Sequence, residues 1–233
     1  MKMKRNASAL LALCAAAATG AAQDTITFNG QLDNSGGWIG GVFSLTSNTG
    51  ITGTTVQAGD TFFTFCVELD EFIGGGTYEV QTNTSAISGS GQHGADTDSN
   101  PNDGMDELDY RTAYLYSTYL ADSVNDSDTA RAIQLAIWGI EEDIDVQTYN
   151  INGVDQGIRD SASAFLAEAW DAVYGPGATW GQTWGNVRIL NIGGAGTNWA
   201  KQDMLVIIPL PNAGALAGLG LLGLAVRRRR QFG

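Results

Sequence analysis

The hydrophobic periodicity of the chain changes twice, and this limits the folds that it can adopt. Up to about residue 82, short runs of β-branched and aromatic residues alternate with clusters of Gly, Asn and Ser, as strands and turns do. From about residue 106 to 175 the apolar residues recur at helical spacing, and after residue 185 the strand pattern returns. Strands, then helices, then strands predict an α+β domain.

These patterns place six strands and three helices. The strands are predicted at residues 25–28, 38–45, 61–69, 77–82, 186–192 and 203–208, and the helices at 106–121, 129–141 and 158–173. The polar segment 83–105 is predicted to be a loop. Core-facing stripes are predicted for the second helix at Ile133, Ala136, Ile137 and Ile140, and for the third at Ala162, Phe165, Leu166, Ala169 and Trp170. Ser127 or Asp128 is expected to cap the second helix.

The N-terminal segment, residues 1–22, has the three parts of a secretory signal peptide. Lys2, Lys4 and Arg5 precede a short apolar run, and the small residues Gly20-Ala21-Ala22 follow it. The run is too short to span a bilayer. We therefore expect this segment, which contains Cys14, to be removed on export.

The C-terminal segment, residues 207–233, combines three features in a fixed order. Pro209-Leu210-Pro211 precedes an apolar, Gly-rich stretch at Ala213–Val226, and the arginines Arg227–Arg230 follow directly. This order resembles the PEP-CTERM class of bacterial sorting signals, in a variant with Leu where Glu is usual. The resemblance implies a transient membrane anchor, processing by an exosortase-like protease, and delivery to the cell surface or an extracellular matrix. A core helix with a basic tail is the alternative.

The charge of the chain argues against nucleic acid as a partner. The formal net charge is -13, and of the 12 Lys and Arg residues seven lie in the two terminal segments, which leaves five against all 25 Asp and Glu residues. Phosphate binding needs clustered basic residues. The chain has a single histidine, His93. This argues against a zinc site built from several histidines and against a Ser-His-Asp triad.

Cys66 is the one cysteine left after removal of the signal peptide. One cysteine cannot make an internal disulfide, so it pairs between chains, reacts, or lies buried as a small, inert apolar residue.

Gln134 is equally unusual, because it interrupts the apolar run from Ala132 to Trp138 in the second predicted helix. A glutamine there must be hydrogen-bonded, exposed or chemically used. A buried amide that pins a loop is the alternative to a chemical role.

Together, Phe65-Cys66 and Gln134-Leu135-Ala136-Ile137-Trp138 resemble the two motifs of the thioester domains of bacterial surface adhesins. Ile133 stands where those motifs usually have Thr. The resemblance implies that residues 23–206 form one domain, for which we expect a β-barrel or β-sandwich core with a helical segment inserted at about residues 106–175. It also implies a bond between the Cys66 sulfur and the Gln134 side-chain carbonyl, in a site lined by Phe65 and Trp138.

The resemblance implies a protein that couples covalently to its partner once, without the turnover of an enzyme. Ammonia would be expelled when the bond forms, and an amine on a surface protein or polymer would later displace the sulfur, because a thiolate leaves easily. No cofactor is needed. No assisting base is assigned, since the carboxylates that follow Cys66, which are Glu68, Asp70 and Glu71, belong to a type of cluster that is usually solvated.

Two further sets of residues have functional interpretations. Asp96, Asp98, Asn100 and Glu107 have the spacing of a calcium-binding loop, but Pro101 stands where such a loop needs Gly, and a solvated acidic loop is favoured. Tryptophans sometimes line sugar sites, although most belong to cores. The alternative function is therefore a non-covalent structural or polysaccharide-binding component of an extracellular matrix.

Overall fold

A computed structural model describes residues 23–33, 40–69, 71–87, 105–141, 144–193 and 201–209. The predicted signal peptide and, from Leu210 onward, the predicted sorting segment lie outside these ranges. So do Asp70, His93 and three of the calcium candidates, Asp96, Asp98 and Asn100.

The described ranges contain eight strands and three helices in the order that an α+β domain requires. The strands are β1 (Thr25–Gln31), β2 (Phe43–Ser47), β3 (Thr61–Thr64), β4 (Gly76–Asn83), β5 (Ser85–Ile87), β6 (Met105–Glu107), β7 (Val187–Gly193) and β8 (Lys201–Ile207). The helices are α1 (Tyr110–Ser123), α2 (Ser127–Glu141) and α3 (Gln156–Tyr174). The predicted α+β class is confirmed.

Six strands form an antiparallel sheet in the order β3-β2-β1-β4-β7-β8. Its two edge strands approach each other just beyond β3, where Cys66 forms an antiparallel bridge with Met204 of β8. On either side of this bridge, Leu205 N–H donates to Phe65 O (3.1 Å) and Val67 N–H donates to Asp203 O (2.9 Å). We call residues 65–67 and 203–205 the seam. The described strands do not make a closed barrel, because this short seam is not a continuous ladder.

Helix α2 lies at the centre of the core, because apolar side chains surround it on every side. Its buried residues include the whole run from Ala132 to Trp138. Helices α1 and α3 pack against it. Helix α1 also contacts the seam, where the Tyr116 hydroxyl hydrogen-bonds to the carbonyl oxygens of Phe63 (3.1 Å) and Leu205 (3.2 Å).

The predicted helix starts are wrong by a few residues, because neighbouring aspartates provide the caps. Asp109 accepts a hydrogen bond from Arg111 N–H at 2.6 Å and caps α1, so the helix does not begin at residue 106. Asp126 accepts from Asp128 N–H at 3.1 Å and from the Thr129 hydroxyl at 2.7 Å. Ser127 and Asp128 therefore lie inside α2, and neither is its cap.

Three other expectations need correction. The segment 83–105 is not wholly a loop, because β4 runs to Asn83, and β5 pairs with β6 so that Ser85 lies opposite Glu107. The predicted strand 61–69 is regular only to Thr64. Trp170 is 54% exposed rather than part of the core, because the buried residues of α3 form a narrower stripe, at Ile158, Ala162, Ala169 and Val173.

Candidate functional site

Cys66 and Gln134 are in direct contact in the core, although 68 residues separate them in sequence. The backbone N–H and the thiol of Cys66 both donate to Gln134 Oε1, each at 3.2 Å, and Gln134 Nε2 donates to the Cys66 carbonyl oxygen at 2.8 Å. Neither residue has any exposed surface. These contacts hold the side-chain amide in one orientation beside the sulfur.

The two residues are positioned by different parts of the fold. Cys66 is fixed by the seam, which is reinforced by Thr64: its hydroxyl donates to Leu205 O at 2.6 Å and accepts from Leu205 N–H at 3.1 Å. Gln134 is fixed by α2, where burial on all sides prevents the helix from rotating. A rigid strand segment and a rigid helix therefore present the thiol and the amide to each other.

The arrangement suits nucleophilic attack on the amide. The thiol lies within hydrogen-bonding distance of the carbonyl group that it would attack, which removes most of the entropic barrier to a bimolecular encounter. The backbone N–H of Cys66 points at the carbonyl oxygen, where negative charge would develop during attack. The site thus combines a nucleophile, an electrophile and an oxyanion donor.

The predicted lining residues, Phe65 and Trp138, are fully buried in the same apolar core. The Phe65 ring meets the ring of Tyr116 edge-on, with centroids 6.4 Å apart and planes at 85°. Trp138 lies one helical turn beyond Gln134. An acyl group at this position would be shielded from water.

A buried acidic cluster supports the seam, and the interpretation of Glu68 and Glu71 as solvated surface residues is wrong. They are only 8% and 7% exposed, and Asp203 of β8 is buried beside them. Glu68 Oε2 accepts from Asp203 N–H at 3.0 Å. The Asp203 carboxylate accepts from three further groups, which are Ile87 N–H at 2.8 Å, Asn191 Nδ2 at 2.5 Å and Ile192 N–H at 2.9 Å.

Burial shifts the titration of this cluster. Desolvation raises the pKa of Glu68 to about 10, helped by the charges of Asp203 and Glu71. Desolvation also raises the pKa of Asp203 to about 7, although hydrogen bonds from Ile87, Asn191 and Ile192 act in the opposite direction. Glu68 therefore keeps its proton at neutral pH, and its contacts with β8 make it a support of the seam.

Sequence reasoning missed Asp203 and Asn191. Asp203 gave no clear signal, because it follows two polar residues, Lys201 and Gln202, at the start of β8. A signal was present for Asn191, which is an isolated polar residue within the apolar run Ile189–Ile192. Such a residue has to find buried partners.

The structure also bears on the predicted calcium ligand Glu107 and on the predicted membrane span. Glu107 is exposed on β6. In the part of the chain that the structure describes, no three or more His, Cys, Asp or Glu side chains are grouped to hold a metal. Within the same ranges, none of the three helices has the length and apolar character needed to cross a membrane. The predicted spanning stretch at Ala213–Val226 lies outside the described residues.

No protein-family model matches the chain, and no curated protein is significantly similar to it. The geometry of Cys66 and Gln134 is therefore the main indication of function.

Proposed function

We propose that Cys66 and Gln134 form an internal thioester, and that the exported protein is a surface adhesion module that captures an amine on a partner covalently. The observation that carries the proposal is the paired contact in which the Cys66 thiol and backbone N–H both bind Gln134 Oε1. The contact between the Cys66 thiol and Gln134 Oε1 is the part of this pairing that the backbone hydrogen bonds do not require. The resemblance of the two motifs to adhesin thioester domains agrees with the proposal.

Formation of the bond is balanced without any added reagent. The Cys66 sulfur attacks the side-chain carbonyl carbon of Gln134, and the C–S bond forms as the C–N bond breaks. The thiol proton leaves with the amide nitrogen, so that ammonia is released. The backbone N–H of Cys66 stabilises the negative charge on the carbonyl oxygen during this step.

Capture is the second step and happens once. The nitrogen of a primary amine attacks the thioester carbonyl, the C–S bond breaks, and a proton passes from nitrogen to the Cys66 sulfur. The product is an amide that joins Gln134 to the partner. Because the acyl group is consumed, the protein is not an enzyme, and it needs no cofactor.

The two terminal segments of the chain indicate where in the cell the proposed adhesion module would act. Residues 1–22 would direct export, and residues 207–233 would anchor the protein transiently before an exosortase-like protease delivers it to the surface or matrix. We propose a partly closed barrel or sandwich core for the domain, which is consistent with the Cys66–Met204 bridge between the edge strands.

Intact mass measurement tests the proposal directly. The purified, non-denatured domain should be lighter than its sequence mass by one ammonia molecule, and Cys66→Ala should restore the full mass. Methylamine should add to the wild-type protein at Gln134 and leave Cys66 as a thiol. A wild-type domain of full sequence mass, unreactive toward methylamine, would refute the thioester.

One observation favours the alternative function, a non-covalent structural or polysaccharide-binding component of the matrix. Trp170 and Tyr174 of α3 are 54% and 38% exposed, and their ring centroids lie 5.1 Å apart. Exposed aromatic pairs provide faces on which sugar rings stack. Glycan binding that persists in Cys66→Ala, is lost in Trp170→Ala and washes off in denaturant would favour this function over covalent capture.

A further inference from the structure

We propose that a cavity between the segment just before β2 and the N-terminal end of α2 is the route by which a primary alkyl amine reaches Gln134. This inference rests on the proposed thioester. The cavity has a volume of about 260 Å³, and its lining includes Asp33, Val42, Ser127, Ala130 and Arg131. Because Cys66 and Gln134 are fully buried, an attacking amine needs such a route.

The cavity borders the helix that carries Gln134 and the segment just before β2. On α2, Ala130 and Arg131 precede Gln134 by four and three residues, which places them one helical turn, about 6 Å, from it on the same side. On the sheet side, Val42 directly precedes β2, whose first residue Phe43 pairs with Thr64 of β3, the strand that leads to Cys66. The cavity wall thus lies one helical turn from Gln134 along α2 and adjoins β2, the neighbour of the strand that leads to Cys66.

The lining chemistry suits the end of a lysine side chain. Val42 and Ala130 provide an apolar wall for the alkyl portion. Asp33 provides a carboxylate that an incoming ammonium group would share with Arg131, whose Nη2 lies 2.5 Å from Asp33 Oδ2. The surplus of acidic residues in the exported region keeps the surroundings negative, which favours an ammonium group over an anionic partner. We therefore assign the cavity to amines on unbranched alkyl chains.

A bulky substitution at the rim of the cavity tests whether amines reach Gln134 through it. Ser127 lines the cavity and is exposed, so Ser127→Trp should narrow the opening without disturbing the core. Ser161→Trp is the matched control, because Ser161 is an exposed helical serine on α3 that does not line the cavity. The measurement is the rate at which a lysine-containing peptide adds to the protein, followed by intact mass.

We expect Ser127→Trp to slow addition of the peptide by on the order of tenfold or more, with a smaller effect on methylamine, while Ser161→Trp reacts at the wild-type rate. Both variants should keep the mass deficit of one ammonia. Equal rates in both variants, with the deficit present, would overturn the route and leave the thioester standing. Absence of the deficit in the wild-type protein would instead refute the proposed function.

Asp33→Asn tests the carboxylate separately. Asn keeps an oxygen that accepts from Arg131 but removes the negative charge. We expect the amine concentration needed for half-maximal rate to rise several-fold for the lysine peptide and the salt dependence of the reaction to weaken. An unchanged concentration dependence would overturn the role of Asp33.

Discussion

The Gln134 side chain and the Cys66 backbone hydrogen-bond to each other in both directions: Cys66 N–H donates to Oε1 and Nε2 donates to the Cys66 carbonyl oxygen. These two bonds do not involve the sulfur. The amide therefore has a structural role that can be measured separately from any thioester.

Gln134→Ala should be strongly destabilising even where no thioester is possible. In a Cys66→Ala background the second substitution removes two hydrogen bonds to the buried backbone of residue 66 and leaves a cavity in the core. We expect a loss of about 3 to 5 kcal/mol in the free energy of unfolding. Urea denaturation of the single and double variants measures it. A loss below about 1 kcal/mol would mean that the amide is not needed for packing.

The domain should be more stable in mild acid than in mild alkali. In the unfolded chain, Asp203 and Glu68 ionise near their ordinary pKa values of 3.8 and 4.5, whereas burial raises the pKa of Asp203 to about 7 and that of Glu68 to about 10. The unfolded state thus loses these protons first as the pH rises. The free energy of unfolding should fall from about pH 4 through pH 10, as denaturation at several pH values would measure.

Glu68→Gln is the control for this pH dependence. Gln keeps an oxygen that accepts from Asp203 N–H but cannot ionise. The decline above pH 7 should become shallower, and a residual slope should remain because burial also raises the pKa of Glu141 well above its ordinary value. An unchanged slope would show that Glu68 is ionised in the native state.

Tyr116→Phe should weaken the seam. The hydroxyl of Tyr116 bonds to carbonyl oxygens of Phe63 and Leu205, and its loss should lower the free energy of unfolding by about 1 to 2 kcal/mol. The amide hydrogens of Val67 and Leu205 should exchange faster. Tyr114→Phe is the matched control, because its hydroxyl makes an exposed bond to Glu168, and we expect a change below about 0.5 kcal/mol.

Gly139→Ala should destabilise the protein although alanine favours helices. A Cβ at residue 139 would lie 2.7 Å from Val146 Cγ1, and a branched side chain cannot move aside easily. We expect a loss of about 1 to 3 kcal/mol, larger than the helix-propensity gain of about 1 kcal/mol.

Val146→Ala should relieve the clash at Gly139. In a double-mutant cycle, the loss caused by Gly139→Ala should be smaller when residue 146 is Ala than when it is Val. Additive losses would mean that α2 and the segment at Val146 are not in this close contact.

Local pattern predicted the helices well because helical spacing is a property of neighbouring residues. The stripe of Ile133, Ala136, Ile137 and Ile140 is buried as expected. The same spacing failed at Trp170, since periodicity shows which residues share a face but not how much of that face a neighbour covers. The predicted N-cap of α2 was wrong for a related reason. Asp126, Ser127 and Asp128 are all acceptable capping residues, and only the backbone path distinguishes them.

Local sequence patterns could not predict contacts between residues that are far apart in the sequence. Nothing near Cys66 indicates that it faces Gln134, and the pairing was expected only from the resemblance to thioester domains. The link between Glu68 and Asp203 spans 135 residues, and no spacing rule connects them. The resemblance named two reactive residues but not the acidic cluster that holds their strand in place.

The seam also determines how the domain would bear tension. Strand β8 is hydrogen-bonded to β7 along one side and to residues 65–67 on the other, and the chain leaves β8 toward Pro209. A pull transmitted through that end acts along the strand, so the bonds on both sides are sheared together instead of being opened one after another. The strand that precedes the predicted sorting segment is therefore anchored against tension on both of its sides.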